Sequence, residues 1–171
     1  MTGQFMNTVE ARWYAIYTRS RHEKKVASYL TDRDVEVFLP LRTMTSRWAD
    51  RIKEVQFPLF SGYVFVRITP ELRVPVLQTA GVVNFVSSKQ GIAAIPDEQI
   101  AAIQKLVESG LKYDPYPYLR EGMTVKVRRG PLRGIEGILI GKRKKHLLIL
   151  SVDLIRQSTA LEINISDTDV R

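Results

Sequence analysis

Two histidines, no cysteine and 18 scattered carboxylates give this chain few groups with which to run a reaction. His22 stands at a basic helix start and His146 in the turn KRKKHLL; neither belongs to an HExxH or Gly-x-Ser-x-Gly element. No carboxylate pair lies in an apolar setting that would split two pKa values for general acid–base work. Without cysteine there is no disulfide, no thiolate nucleophile and no cysteine-based zinc site, which fits a reducing cytoplasm. The expectation is a protein that is not an enzyme and carries no metal or cofactor. The glycines of RRGPLRGIEGILIG do not change it. A phosphate loop needs Lys-Ser/Thr after its second glycine and a helix beyond, and a dinucleotide fingerprint also opens a helix; neither follows here. Gly130, Gly134 and Gly137 instead suit tight turns and close backbone approach in a small β-fold.

The chemistry the sequence does offer is charge. Lys and Arg number 26 against 18 acids, a net charge of +8, and suggest a polyanionic partner. One group, Arg19, Arg21, His22, Lys24 and Lys25, gathers where a helix begins. Cations at a helix N-terminus oppose the helix dipole, so a role in binding explains them better than helix stability does. A second group, Arg42, Arg47, Arg51 and Lys53, lies on a polar hairpin, and Lys142-Arg143-Lys144-Lys145 marks another hairpin tip. Contacts of this kind fall mainly on phosphate and weaken with salt.

Apolar side chains carry a further signal. In QFPLFSGYVFVRI, Val64, Val66 and Ile68 share one parity, while Tyr63 and Phe65, with Phe60 just before them, share the other. A strand with an aliphatic face and a second, aromatic face has more apolar surface than one core needs, so the aromatic face is expected to meet a partner.

These groups need elements to position them. RWYAIYTR (12–19) reads as a strand, and SRHEKKVASYLTDRD as a helix over roughly 21–33, with Ser20 and Glu23 at capping-box spacing. VEVFLPL (35–41) is a strand, and TMTSRWADRIKEVQF a hairpin with its tip near Ala49–Arg51. A short or kinked helix follows Thr69-Pro70 and ends by Gly81; VVNFVS is a strand, and Gln90-Gly91 turns into IAAI. PDEQIAAIQKLVESG is the clearest helix, with Ile100, Ile103, Leu106 and Val107 on one face. LKYDPYPYLREG reads as a linker. After it come only short strands, which imply a small closed β-barrel. The expected fold is α+β: a tail over 1–10, an antiparallel sheet with packed helices over 11–110, a linker over 111–120 and a barrel over 121–171. No run of apolar residues is long enough for a membrane helix, and MTGQFMNTVE lacks the pattern of a secretory signal.

RWYAIYTRSRHEKKVASYL, PLFSGYVFVRI and GVVNFVS resemble the N-terminal domain of the NusG family of transcription elongation factors; GMTVKVRRGPLRGIEGILIG resembles that family's KOW barrel. The detail of several segments is similar to the specialised paralogues of the UpxY and RfaH kind, which act as antiterminators on particular long operons such as polysaccharide clusters. The resemblance implies an N-terminal domain that packs an apolar face onto two coiled helices of the RNA polymerase clamp, in the largest subunit. The matching contacts are Tyr17, Phe60, Tyr63 and Phe65, bordered by Ile100 and Ile103. It also implies that the basic helix start faces upstream DNA and the displaced non-template strand. The barrel would take a small-subunit ribosomal protein through Leu132, Leu154 and Ile155. Aliphatic residues where relatives carry phenylalanine argue against the termination factor Rho. A monomeric, cytoplasmic antiterminator is the leading reading. A general NusG-type elongation and termination factor and an RNA- or ribosome-binding KOW protein are the alternatives. The helix-to-barrel refolding of one subgroup is not implied, since TVKVRRG and HLLILSV are β-rich.

Overall fold

The structure is a computed structural model that describes residues 9–119 and 121–171. Most of the expected tail, residues 1–8, lies outside the described residues. The first part of the chain runs β1 (Arg12–Thr18), α1 (Glu23–Thr31), β2 (Glu36–Phe38), β3 (Leu41–Trp48), β4 (Arg51–Pro58), β5 (Tyr63–Ile68), α2 (Arg73–Leu77), β6 (Val82–Phe85), β7 (Ser87–Ser88), β8 (Gly91–Ile92) and α3 (Asp97–Glu108). The second part runs β9 (Asp114–Tyr116), β10 (Met123–Val127), β11 (Glu136–Lys142), β12 (Lys145–Val152), β13 (Gln157–Ile163) and β14 (Thr168–Val170).

Four strands form an antiparallel sheet in the order β2-β5-β1-β6. The two parities of β5 divide as its sequence suggests. Val64, Val66 and Ile68 join Tyr14, Ile16, Val26 and Leu30 in a core under α1. Phe65 faces the other way and joins Phe60, Ile100, Ile103 and Leu106 in a second core under α3. Strands β3 and β4 leave the sheet as a long two-stranded hairpin turning at Ala49-Asp50, at the expected tip. Thr69 and Pro70 open a short 3-10 turn before α2, as the proline position requires.

The capping box does not form. Helix α1 starts two residues later than expected, with His22 at its cap and no side-chain cap bond. Arg21 adopts a left-handed backbone (φ 61°), which turns the chain away from the helix direction before α1 begins. Glu23 is buried, and its carboxylate accepts a hydrogen bond from the Gly62 backbone N–H at 2.8 Å. A local cap has been exchanged for a bond 39 residues away.

The second part is a six-stranded antiparallel sheet in the order β14-β10-β11-β12-β13-β9. Val125, Val127, Leu139, Leu148, Leu150 and Leu161, drawn from four of its strands, gather in one core. Two expectations change here. Among the described residues no ladder joins β14 to β9, so the sheet is not closed by hydrogen bonds. The expected linker is partly strand: β9 pairs with β13, and the Thr159 hydroxyl donates to the Asp114 carbonyl at 2.8 Å. The glycines behave as their spacing suggests. Gly130 and Gly134 have φ of 81° and 89°. At Gly137 a Cβ would lie 2.7 Å from the Ile149 carbonyl oxygen, so this glycine lets two strands approach.

The two parts pack together, with α3 between them. Core residues of α3 and of the β10–β14 sheet form one continuous cluster. Gln99 donates to the Asp153 carboxylate at 2.9 Å and accepts from the Asp153 backbone N–H at 3.0 Å. Lys105 donates to the Arg133 carbonyl at 2.6 Å. Tyr113 donates to the Leu41 carbonyl, and Arg42 lies 3.8 Å from Asp114. A Gly137→Ala variant should lose about 1–3 kcal/mol of stability from overpacking, read by urea unfolding. Gly141→Ala, where a Cβ meets nothing within 4 Å, should leave the midpoint nearly unchanged.

Candidate functional site

The expected aromatic contact face is only partly open. Tyr17 and Tyr63 are cross-strand partners on β1 and β5, and their rings lie 5.0 Å apart. Tyr17 is 41% exposed and Tyr63 is half-buried. Phe60 and Phe65 are buried, at 1% and 0% exposure, so the expectation that their rings face outward is corrected. Phe65 is flanked by Phe60, edge-on at 6.2 Å, and by Phe38, stacked at 6.1 Å. Ile100 and Ile103 are likewise fully buried and do not border an open face. The surplus aromatic face is consumed within the chain by α3, leaving the Tyr17–Tyr63 pair at its rim. Burial, and after it the hydrogen bond and charge of Tyr17, push the Tyr63 hydroxyl up to about 12.

The cations gather as expected at the start of α1, where tertiary bonds fix the backbone. Arg19 donates its N–H to the Gly81 carbonyl at 2.8 Å, and Gly81 packs so closely that a Cβ there would meet Val26 at 2.9 Å and His22 at 3.3 Å. With the Glu23–Gly62 bond, this clamps the turn that carries Arg19 and Arg21. Arg19, Arg21, Lys24 and Lys25 are exposed, and His22 is half-buried with Nδ1 2.9 Å from the Ser20 carbonyl. Lys24 donates to the Gln56 carbonyl on β4 at 2.7 Å, which ties α1 to the base of the hairpin.

Between them lies a groove of about 620 Å³, lined by Arg21 and Lys24 on one side and by Arg42, Met44 and Phe57 on the other. Arg47 and Arg51 sit near the hairpin tip, away from the groove floor. Among the described residues, Arg19, Arg21, Lys25, Arg47 and Arg51 have no ion-pair partner. Arg42 does, in Asp114. The sequence reading missed Met44, Trp48 and Phe57, which are 43%, 70% and 44% exposed on a hairpin read as polar. Their shared face follows from the β3–β4 register, which alternation in either strand alone does not supply.

The barrel patch is corrected too. Leu132 and Ile155 are buried, at 2% and 5% exposure, and Leu154 is half-buried against the same cluster. The Gln99–Asp153 bonds hold the turn carrying Leu154 and Ile155 beside α3. In this arrangement the patch is covered within the chain and offers no open apolar surface. Among the described residues no group of His, Asp and Glu could hold a metal, and no helix is long and apolar enough to cross a membrane.

Two measurements test this geometry. Because folding raises the Tyr63 pKa, the folded state holds that proton more tightly than the unfolded chain. The group therefore leaves stability unchanged below about pH 10 and subtracts from it as pH rises toward 12. Tyr63→Phe should show a shallower alkaline loss of stability across that window than the parent; equal slopes would refute the assignment. Separately, Glu23→Ala should cost about 1–3 kcal/mol by stranding the Gly62 N–H, and Glu23→Gln, which keeps an acceptor, should cost less.

Comparison with known proteins places this geometry in a family. Residues 11–104 match the family model described as "Transcription termination factor nusG". The transcription termination/antitermination protein NusG of Halalkalibacterium halodurans is 27% identical over 181 aligned positions, covering 94% of this chain and 99% of that one. Its Staphylococcus aureus counterpart is 29% identical, covering 89% and 91%. A solved structure titled "Domain interaction in Thermotoga maritima NusG" aligns with a TM-score of 0.56 at 21% identity, covering 94% of this chain and 97% of that one, and speaks to the fold alone. With more than half of its length matched by the family model, the chain belongs to the NusG family.

Proposed function

We propose that this protein is a NusG-type transcription termination/antitermination factor that binds RNA polymerase through the rim of its N-terminal sheet. The observation that carries the reading is the Tyr17–Tyr63 pair: two adjacent rings, partly open, beside a clamped turn of unpaired cations. Aromatic anchors of this sort give large contact area with few rotors to freeze. The clamp helices of the largest subunit are the partner, met in a helix-in-groove contact. The cations of Arg19, Arg21, Lys24 and Lys25 then lie toward upstream or non-template DNA.

Phe60, Phe65, Ile100 and Ile103 support the contact from beneath, as the core that positions the tyrosines. The barrel takes a small-subunit ribosomal protein through Leu132, Leu154 and Ile155 once it leaves α3, since these side chains are covered in the present arrangement. The absence of the aromatic residues that relatives carry there argues against Rho. Action on specific long operons is the favoured mode, in a cytoplasmic monomer.

The test is retention of RNA polymerase by the full chain and its variants. Tyr17→Ala with Tyr63→Ala should weaken capture at least tenfold while circular dichroism stays unchanged. Undiminished capture by a folded double variant would overturn the contact. Genome-wide polymerase occupancy with and without the protein separates the two modes: enrichment at one or a few operons fits a specialist, and uniform recruitment a general factor.

A further inference from the structure

The Tyr17–Tyr63 pair sits where its strands run out of support. The β1–β5 ladder ends at that pair, and β2 pairs with β5 only as far as Phe65. On the other side of Tyr17, the β1–β6 register shifts between Tyr17 and Thr18. Strand ends with few backbone bonds are the first parts of a sheet to open. Here one peptide group ties the end down from two sides. The Gly62 carbonyl accepts from the Thr18 N–H at 2.9 Å, which anchors the residue after Tyr17. The Gly62 N–H, one residue before Tyr63, donates to the Glu23 carboxylate at 2.8 Å. A left-handed backbone at Gly62 (φ 85°) turns the chain into β5 between these two bonds.

Glu23 is an uncommon group to find in that place. It is only 6% exposed, and a buried carboxylate is costly unless it is hydrogen-bonded. Two features offset the cost. Glu23 is the first residue of α1, where the helix dipole favours an anion, and a bond from N–H to a carboxylate is stronger than one to a neutral acceptor. Val26 and Leu30 seat α1 in the core under the sheet, so the acceptor stands on a rigid element. We propose that Glu23 is a positioning residue for the polymerase contact: its carboxylate, acting through the Gly62 peptide, sets Tyr63 against Tyr17 before the partner arrives. The assignment of the partner rests on the proposed function. The rings have a defined spacing and tilt, 5.0 Å and 41°. A partner that finds both in place has little left to order, whereas a loosened turn must be ordered again on binding. Phe60 and Phe65 form the floor beneath the pair, and Glu23 fixes the entry to the strand that carries Tyr63.

Three substitutions at this one position, in the full chain, test the role. Glu23→Ala removes the acceptor, Glu23→Gln keeps an acceptor without the charge, and Glu23→Asp keeps the charge one methylene short of Gly62. RNA polymerase retention should weaken about three- to tenfold in Glu23→Ala, the scale of one turn and ring ordered again on binding. Glu23→Asp should lose a similar amount and Glu23→Gln less. A second readout needs no polymerase: the nuclear Overhauser contact between the Tyr17 and Tyr63 rings. It should be present in the parent, kept in Glu23→Gln and weakened in Glu23→Ala. Gly137→Ala serves as the control, since it loses stability in the second sheet, away from the pair. It should keep both the ring contact and the capture.

Parent-like capture by a folded Glu23→Ala would overturn the proposal. An equal loss of capture in Gly137→Ala would overturn it too, because the effect would then be one of stability. Weakened capture with an unchanged ring contact would mean that Glu23 meets the polymerase itself, and the positioning role would fall. Where Glu23→Ala does not fold, Glu23→Gln and Glu23→Asp decide: capture that does not follow the ring contact overturns the role. Absence of capture by the parent sinks the proposed function alone, since the ring contact still reports whether Glu23 sets the pair.

Discussion

Helix α3 is the constraint on which the rest of the structure depends. Its sequence shows one apolar face, which packs on the aromatic side of the N-terminal sheet through Ile100, Ile103 and Leu106. Along an adjoining flank, Gln99 and Lys105 bond to turns of the second β-sheet, and Ala102 joins the shared core. A single helix thus joins the aromatic side of the first sheet and the inner side of the second in one core. Because Phe65 and Leu150 belong to one continuous cluster, the burial that completes the first domain also fixes where the second one rests.

That sharing explains which parts of the structure could be read from the sequence. Strand parity in β5, the hairpin tip at Ala49-Asp50, the helix opened by Asp97 and the roles of Gly130 and Gly137 are local properties, and local pattern found them. The candidate contact residues were legible as residue types but not as surfaces. Phe60 and Phe65 look surplus when β5 is counted alone; their partner is the chain's own helix. Leu132 and Ile155 pose the same problem in the barrel. Alternation tells which face a side chain takes and not what lies over it. Glu23 failed differently: its spacing from Ser20 fits a local cap, but the left-handed Arg21 breaks that geometry, and a distant glycine N–H takes the carboxylate.

The cationic surface is built on tightly held backbone. The turn bearing Arg19 and Arg21 is gripped by the Gly81 carbonyl and the Glu23–Gly62 bond, and Lys24 reaches the hairpin base. Apolar packing from Val26 and Leu30 holds the helix behind it. Flexible cationic side chains therefore sit on a fixed frame, so their charges share one register. The frame costs some local strain at Arg21, on the scale of about 1–2 kcal/mol for a left-handed residue with a side chain.

The β9–β13 pairing has a mechanical consequence. Because β9 belongs to the second sheet, a barrel that leaves α3 takes Asp114–Tyr116 with it. The leash is then only the chain between Glu108 and Asp114, about 20 Å when fully extended. A tether that short confines the released domain to a shell near α3, where its effective concentration is in the millimolar range. Any outside partner for the barrel must therefore compete with a helix that is always within reach.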